Sequence, residues 1–226
     1  MSRLAIALLC WCAAASRLSA QPLLPPDTAR IIGAVIPLGG LVDEDDRPFN
    51  PGNDPVPPVW ILSPIYSRCP YTCSPITHAL QAALARTDLT RGEYRVISLS
   101  FDPAETANGL RTFRTNLQLP PEWLTLRARD PAALQRTLDG LDFRTIALDN
   151  GQFAHPDLIV ILSSDFRVSE FLFGVDFEPA QLSAAVHSAR TGGSRLAAWR
   201  PLLFPIAAAG TLASAFVLAL RVMRRR

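Results

Sequence analysis

The sequence predicts an α/β sandwich with an N-terminal hairpin ahead of it and one C-terminal transmembrane helix behind it. Three observations carry this reading. Apolar runs of strand length alternate with amphipathic stretches of helical period, two cysteines sit together at a strand-to-helix junction, and residues 202–220 hold no charged side chain.

Residues 1–20 read as a signal peptide: Arg3 near the start, an apolar stretch from Leu4 to Ala15, then Ser19-Ala20 before Gln21. Cleavage there removes Cys10 and Cys12, so of four cysteines only Cys69 and Cys73 remain. Bulky Leu9 stands where a lipoprotein signal wants a small residue before Cys10, which argues against lipidation. Residues 21–34 are a proline-rich lead-in, and the sandwich domain is expected over residues 35–190.

That domain opens with a short hairpin, Ile36 to Val42, closed by Asp43-Glu44-Asp45-Asp46, an acid run that reads as a solvated turn rather than a calcium site. Val59-Trp60-Ile61-Leu62 has the pattern of a buried strand, which Pro64 is expected to bulge or end. After Cys73, Ser74 is a capping residue and Pro75 suits a first helical position, while Ile76, Ala79, Leu80, Ala83 and Leu84 recur at helical spacing. Then come a strand from Tyr94 to Ser100, a helix from Glu105 to Leu117, a short strand from Trp123 to Ala128 and a helix from Pro131 to Leu138. Phe143 to Leu148 leads to a turn at Asp149-Asn150-Gly151. His155-Pro156-Asp157 then enters a strand from Leu158 to Leu162, which returns as Val168 to Phe173, and Glu178 to Arg190 is the last helix. This order is that of a thioredoxin-type α/β sandwich.

Residues 191–201 form a linker containing Thr191-Gly192-Gly193-Ser194. At about 1.5 Å per residue, a helix over residues 202–220 spans roughly 28 Å, enough to cross a bilayer. Residues 221–226, with Arg221, Arg224, Arg225 and Arg226, form a basic tail that the positive-inside tendency places in the cytoplasm.

All 22 basic residues are arginine, which excludes lysine nucleophiles and Schiff-base chemistry. Sixteen of them face twenty acids between Gln21 and Arg200, so the soluble part is mildly acidic and implies no nucleic-acid partner. Thiol, histidine and carboxylate chemistry remain.

Cys69-Pro70-Tyr71-Thr72-Cys73 in a cell-exterior domain admits three uses: a structural disulfide, a redox dithiol, or half of a metal site. A metal needs at least a third ligand, and the histidines are His78, His155 and His187. His155 precedes an apolar strand and sits at a sheet end. His78 falls on the polar side of its helix and His187 within the last amphipathic helix, so both read as solvated. Two thiolates and one imidazole make a soft three-coordinate set that suits copper, whereas structural zinc usually takes a fourth protein ligand.

Tyr66-Ser67-Arg68-Cys69-Pro70-Tyr71-Thr72-Cys73 resembles the Y-x-x-C-P-x-x-C signature of the Sco/SenC copper-delivery proteins. Ser98-Leu99-Ser100-Phe101-Asp102-Pro103-Ala104-Glu105-Thr106 is similar to that family's strand ending in D-P-x-x-D-T, one residue shorter. Phe153-Ala154-His155-Pro156 through Phe173-Gly174 resembles its histidine-bearing hairpin. Glu105 stands where the family shows a second aspartate, Pro64-Ile65 replaces an aromatic-glycine approach, and Phe166 takes the glycine position of the hairpin turn.

The resemblance implies a thioredoxin-like domain holding copper through Cys69, Cys73 and His155. Its implied partners are the apo copper-binding subunit of a respiratory cytochrome oxidase, whose CuA centre it helps assemble, and a thiol reductant protein. Its implied setting is the bacterial inner membrane, with the soluble domain in the periplasm or cell exterior. A second function stays open: Cys69 and Cys73 as the catalytic redox pair of a thiol-disulfide oxidoreductase, their order as attacking and resolving thiol not fixed by the sequence.

Overall fold

The computed structural model describes residues 23–51 and 59–192. In chain order the elements are α1 (Thr28–Ile31), β1 (Leu41–Asp43), β2 (Val59–Ile65), α2 (Cys73–Leu84), β3 (Tyr94–Ser100), α3 (Ala107–Asn116), β4 (Leu124–Ala128), α4 (Pro131–Gly140), β5 (Ile146–Ala147), β6 (Phe153–Ala154), β7 (Leu158–Ser163), β8 (Val168–Phe173) and α5 (Pro179–Arg190).

Six strands form one sheet in the order β1-β4-β3-β2-β7-β8, and β5 pairs with β6 in a separate two-stranded sheet. β2, β3 and β4 run parallel, joined by the crossovers that α2 and α3 provide, while β1, β7 and β8 are antiparallel to their neighbours. β2 and β7 are buried at every position, which is why both read as continuous apolar runs instead of alternating ones. α5 packs on β2, β7 and β8 and touches α2, while α3 and α4 pack on β4.

Several boundaries differ from the sequence expectation for physical reasons. β2 continues through Pro64 to Ile65, in register with β3 as Pro64↔Leu99. Pairing with β7 ends at Leu62↔Val160, so beyond that point one edge of β2 has no ladder to lose. α2 begins at Cys73 with Thr72 at the N-cap, whose carbonyl accepts from the Ile76 N–H at 2.8 Å; Ser74 is not the cap. Pro75 then lies in the first turn, where its missing N–H has no intrahelical partner to forfeit.

The expected N-terminal hairpin forms over a short length around its acidic turn. Leu41–Asp43 returns as residues 47–49, joined by the Val42↔Pro48 bridge and by two backbone bonds, Asp43 N–H to the Arg47 carbonyl at 3.0 Å and Phe49 N–H to the Leu41 carbonyl at 2.9 Å. On its other edge β1 pairs with β4, and Val35 bridges to Arg167. The acidic turn is charge-matched: Glu44 meets Arg114 at 2.6 Å, Asp45 meets Arg47 and Arg111, and Asp46 meets Arg127. Residues 1–20, the span at 202–220, the basic tail and all but the first two linker positions lie outside the described residues. Among those described, no helix is long and apolar enough to cross a membrane.

Candidate metal centre

The carboxyl ends of β2 and β3 converge where α2 starts, the crevice position at which open α/β sheets place ligands. Tyr66 follows β2 directly, and the loop from Tyr66 to Thr72 turns back through a Cys69 N–H to Tyr66 carbonyl bond of 3.1 Å. Cys73, fully buried, is the first residue of α2, and Cys69 is partly exposed above it. His155 arrives from the β5–β6 hairpin, one residue past β6. One ligand atom from each of Cys69, Cys73 and His155 lies within 4.8 Å of the other two. His78 and His187 are exposed on α2 and α5 and take no part.

Electrostatics separates the two thiols. The Cys73 S–H donates to Cys69, and despite opposing burial this bond, His155 and the N–H groups of Cys73 and Tyr71 hold the Cys69 thiol down to about 2. Part of that stabilisation is the N-terminus of α2 itself. Cys73 is pushed far above the ordinary thiol range, first by its bond to Cys69 and then by burial. Burial disfavours the charged imidazole of His155. Its contacts to Cys69, the Pro156 carbonyl and Asp157 outweigh this and raise its pKa. His155 Nδ1 lies 3.2 Å from the Pro156 carbonyl oxygen and 3.7 Å from Asp157 Oδ1. Donation from Nδ1 fixes the tautomer that leaves the lone pair on Nε2, the nitrogen available to a metal.

The supporting residues are those that sequence reasoning missed. The His155 ring packs among Tyr66, Phe101 and Phe143, with centroids at 6.0, 4.9 and 6.4 Å, and Phe153 packs edge-on against Tyr66 at 5.3 Å. Burial pushes the Tyr66 phenol up to about 12, so it stays protonated and donates to Gln152 Oε1 at 2.8 Å. Glu105 accepts from the Ser67 N–H, the Ser67 hydroxyl and the Ser100 hydroxyl. Asp102 both anchors Arg68 and caps the strand end. Oδ2 takes the Arg68 Nε–H at 2.7 Å and Oδ1 caps Ala104 at 2.9 Å. Arg68 lies within the signature itself, whereas Glu105 comes 38 residues after Ser67 and only the fold brings it there. The clustering of Phe101, Phe143 and Phe153 had no short-range signal.

Two sulfurs and one nitrogen at these separations fit a soft metal ion of low coordination number. No fourth histidine, cysteine or carboxylate joins the group among the described residues, so the closed tetrahedral set of structural zinc is not formed. A cavity of about 370 Å³ bounded by Gln81, Leu84, Tyr94 and Trp123 lies at the opposite end of β3, away from the thiols.

No protein-family model matches the sequence, and no curated protein matches it. Solved structures do. A protein of Aquifex aeolicus VF5 named for electron transfer is similar at 27% identity and a TM-score of 0.66, over 72% of this chain and 96% of that one. A SCO1/SenC family lipoprotein from Bacillus anthracis str. Ames is similar at 16% identity and a TM-score of 0.60, over 75% of this chain and 98% of that one. The chain has the Sco/SenC-type thioredoxin fold. Yeast Sco1 with copper bound shares this fold at 13% identity and a TM-score of 0.57, over 70% of this chain and 90% of that one. In the Sco/SenC-type fold of this chain, both cysteines and the histidine meet at one sheet end.

Proposed function

We propose that this protein is a membrane-anchored copper metallochaperone that holds copper through Cys69, Cys73 and His155 and delivers it to the CuA centre of a respiratory cytochrome oxidase. The observation that carries the reading is the convergence of two sulfurs and an imidazole nitrogen within 4.8 Å at an accessible loop. Thiolates retain Cu(I), and a single imidazole is a ligand that an incoming donor can displace. Copper is cargo here. The chain's own work is to keep Cys69 deprotonated, present His155 in one tautomer and leave one side open to the receiving subunit. The membrane anchor in this reading is the span over residues 202–220, with the domain in the periplasm or cell exterior.

The test is anaerobic titration of the reduced chain with Cu(I), beside His155→Ala and the double variant Cys69→Ser/Cys73→Ser. One tight copper per chain is expected, weakened by loss of His155 and abolished by loss of both thiols. Full retention without His155 would count against the ligand set.

A second reading has its own observation, the partly exposed low-pKa Cys69 beside the buried high-pKa Cys73. It makes the chain a thiol-disulfide oxidoreductase acting on oxidase or other exported cysteines. Cys69 thiolate attacks a substrate disulfide, forming a mixed disulfide and releasing one thiolate. Cys73, giving up its proton, attacks Cys69 Sγ and releases the second. The substrate gains two electrons, and a thiol reductant protein returns Cys69–Cys73 to the dithiol. Disulfide reduction unaffected by His155→Ala, together with no tight copper, would favour this reading.

A further inference from the structure

Arg68 immediately precedes Cys69, and its guanidinium touches two other parts of the site. Nε donates to Asp102 Oδ2 at 2.7 Å, and that carboxylate is fixed at the end of β3, its side chain 1% exposed and its other oxygen bound by the Ala104 N–H. From this anchor Nη1 donates to the Gly151 carbonyl at 3.2 Å. Gly151 lies in the β5–β6 turn at φ +73°, and its own N–H bonds the Leu148 carbonyl. The same hairpin carries His155 four residues on. One side chain thus joins the residue beside the first thiol, a buried acid and the turn of the arm that brings the third donor.

Beyond these bonds the arm is held by the packing of the Phe153 and His155 rings on Tyr66 and Phe101, at the end away from the Gly151 turn. Among the described strands, β5 and β6 pair only with each other and form no ladder with the six-stranded sheet. Near the turn its other polar tie is the Tyr66 hydroxyl to Gln152 bond, and further along Phe153 meets Tyr66 and His155 meets Cys69. We propose that Arg68 is a positioning residue that latches the His155 hairpin onto the thiol loop and thereby sets how fast the site gives up its metal. The two halves of the latch are unequal. The bond to Asp102 is charge-assisted and meets a buried acceptor, whereas the bond to Gly151 is longer and meets a neutral, exposed carbonyl. On opening, the guanidinium stays with Asp102 and the hairpin moves away, taking His155 with it while the thiols remain.

This inference rests on the copper reading for one of its readouts only. The test uses the full chain with Arg68→Lys and Arg68→Ala. Lysine keeps a cation beside Asp102 but, with a single nitrogen on a flexible stem, does not span both acceptors. In metal-free protein, Arg68→Lys is expected to exchange its Leu148 and Gly151 amide hydrogens about tenfold faster while melting at the wild-type temperature. A loosened histidine arm then loses Cu(I) to a chromogenic chelator about tenfold faster, the lower end of what a lost outer contact costs a metal site. Arg68→Ala shows the same two changes and also melts lower, since Asp102 is left buried without its counter-charge. Wild-type exchange at Leu148 and Gly151 in Arg68→Lys overturns the latch, as does wild-type copper release. A wild-type chain that takes up no copper sinks the copper reading, and the amide exchange still decides the latch.

Discussion

Ser67 gives both of its hydrogen-bond donors to the Glu105 carboxylate, the N–H to Oε2 at 2.9 Å and the hydroxyl to Oε1 at 2.7 Å. The same carboxylate takes the Ser100 hydroxyl at 2.8 Å and the Thr106 N–H at 3.0 Å. One acid therefore pins the loop two residues ahead of Cys69 to the start of the β3–α3 connection. Replacing it with alanine leaves Ser67 and the buried Ser100 without their acceptor, and is expected to cost about 2–3 kcal/mol of stability in urea unfolding.

Gly109→Ala tests the same network from outside. In an exposed helix interior this change ordinarily stabilises by about 1 kcal/mol. Here the added Cβ would lie 2.5 Å from Glu105 Oε1 and 2.7 Å from Ser67 Oγ. Those atoms end flexible side chains, but both are fixed by hydrogen bonds, so moving them breaks the clamp. The variant is expected to melt below wild type; a rise in melting temperature would show the clamp to be soft.

The thiols should alkylate unequally. With its pKa held down to about 2, Cys69 stays a thiolate through mildly acid pH, where an ordinary thiol of pKa about 8.5 loses tenfold in reactivity per unit. Iodoacetamide should modify one cysteine per reduced, metal-free chain, Cys69, at a rate nearly constant as pH falls from neutral. Cys73 should react only on unfolding. Cys73→Ala removes the donor that contributes most, raises the Cys69 pKa and restores the ordinary fall with acid.

Phe166 sits in the β7–β8 turn at φ +59°, a conformation that favours glycine. Glycine there relieves roughly 1–2 kcal/mol of backbone strain. It also removes a ring stacked on Trp60 at 5.2 Å and set edge-on to Phe49 at 6.2 Å, and losing a packed phenylalanine costs about 3–5 kcal/mol. Phe166→Gly is therefore expected to destabilise, and a more stable variant would mean that the backbone term dominates.

Glu44 meets Arg114 and the Thr125 hydroxyl, both at 2.6 Å, in a partly buried setting. Glu44→Ala should lower stability by about 2 kcal/mol, less than the loss of a fully buried partner because water still reaches the pair. The cost should persist in high salt, unlike that of removing exposed Asp45.

The central strands and the start of α4 could be read from the sequence because their causes are local, apolar runs at β2 and β7 and Pro131 in a first turn, whereas α3 starts at Ala107 behind the Thr106 cap, two residues past the expected Glu105. The expected N-terminal hairpin forms only over residues 41–49, and the pairing of Leu41–Asp43 with β4 on its other edge was set by tertiary packing that no local pattern shows. Within the site, Cys69, Cys73 and His155 stand out by residue type and setting. What holds them does not. The Tyr66–Gln152 and Arg68–Gly151 bonds join positions 86 and 83 residues apart, and no window of sequence contains both ends.

That separation gives the chain a built-in check on its own completeness. Contacts so distant in sequence carry a loop-closure cost and exist only once the last third of the polypeptide is seated on the thiol loop. A partly folded chain carries both thiols but not the third donor, so it can be oxidised or can scavenge metal loosely, without holding it in the finished geometry. Under the proposed copper reading, full-strength metal capture then reports that both halves of the site are in place.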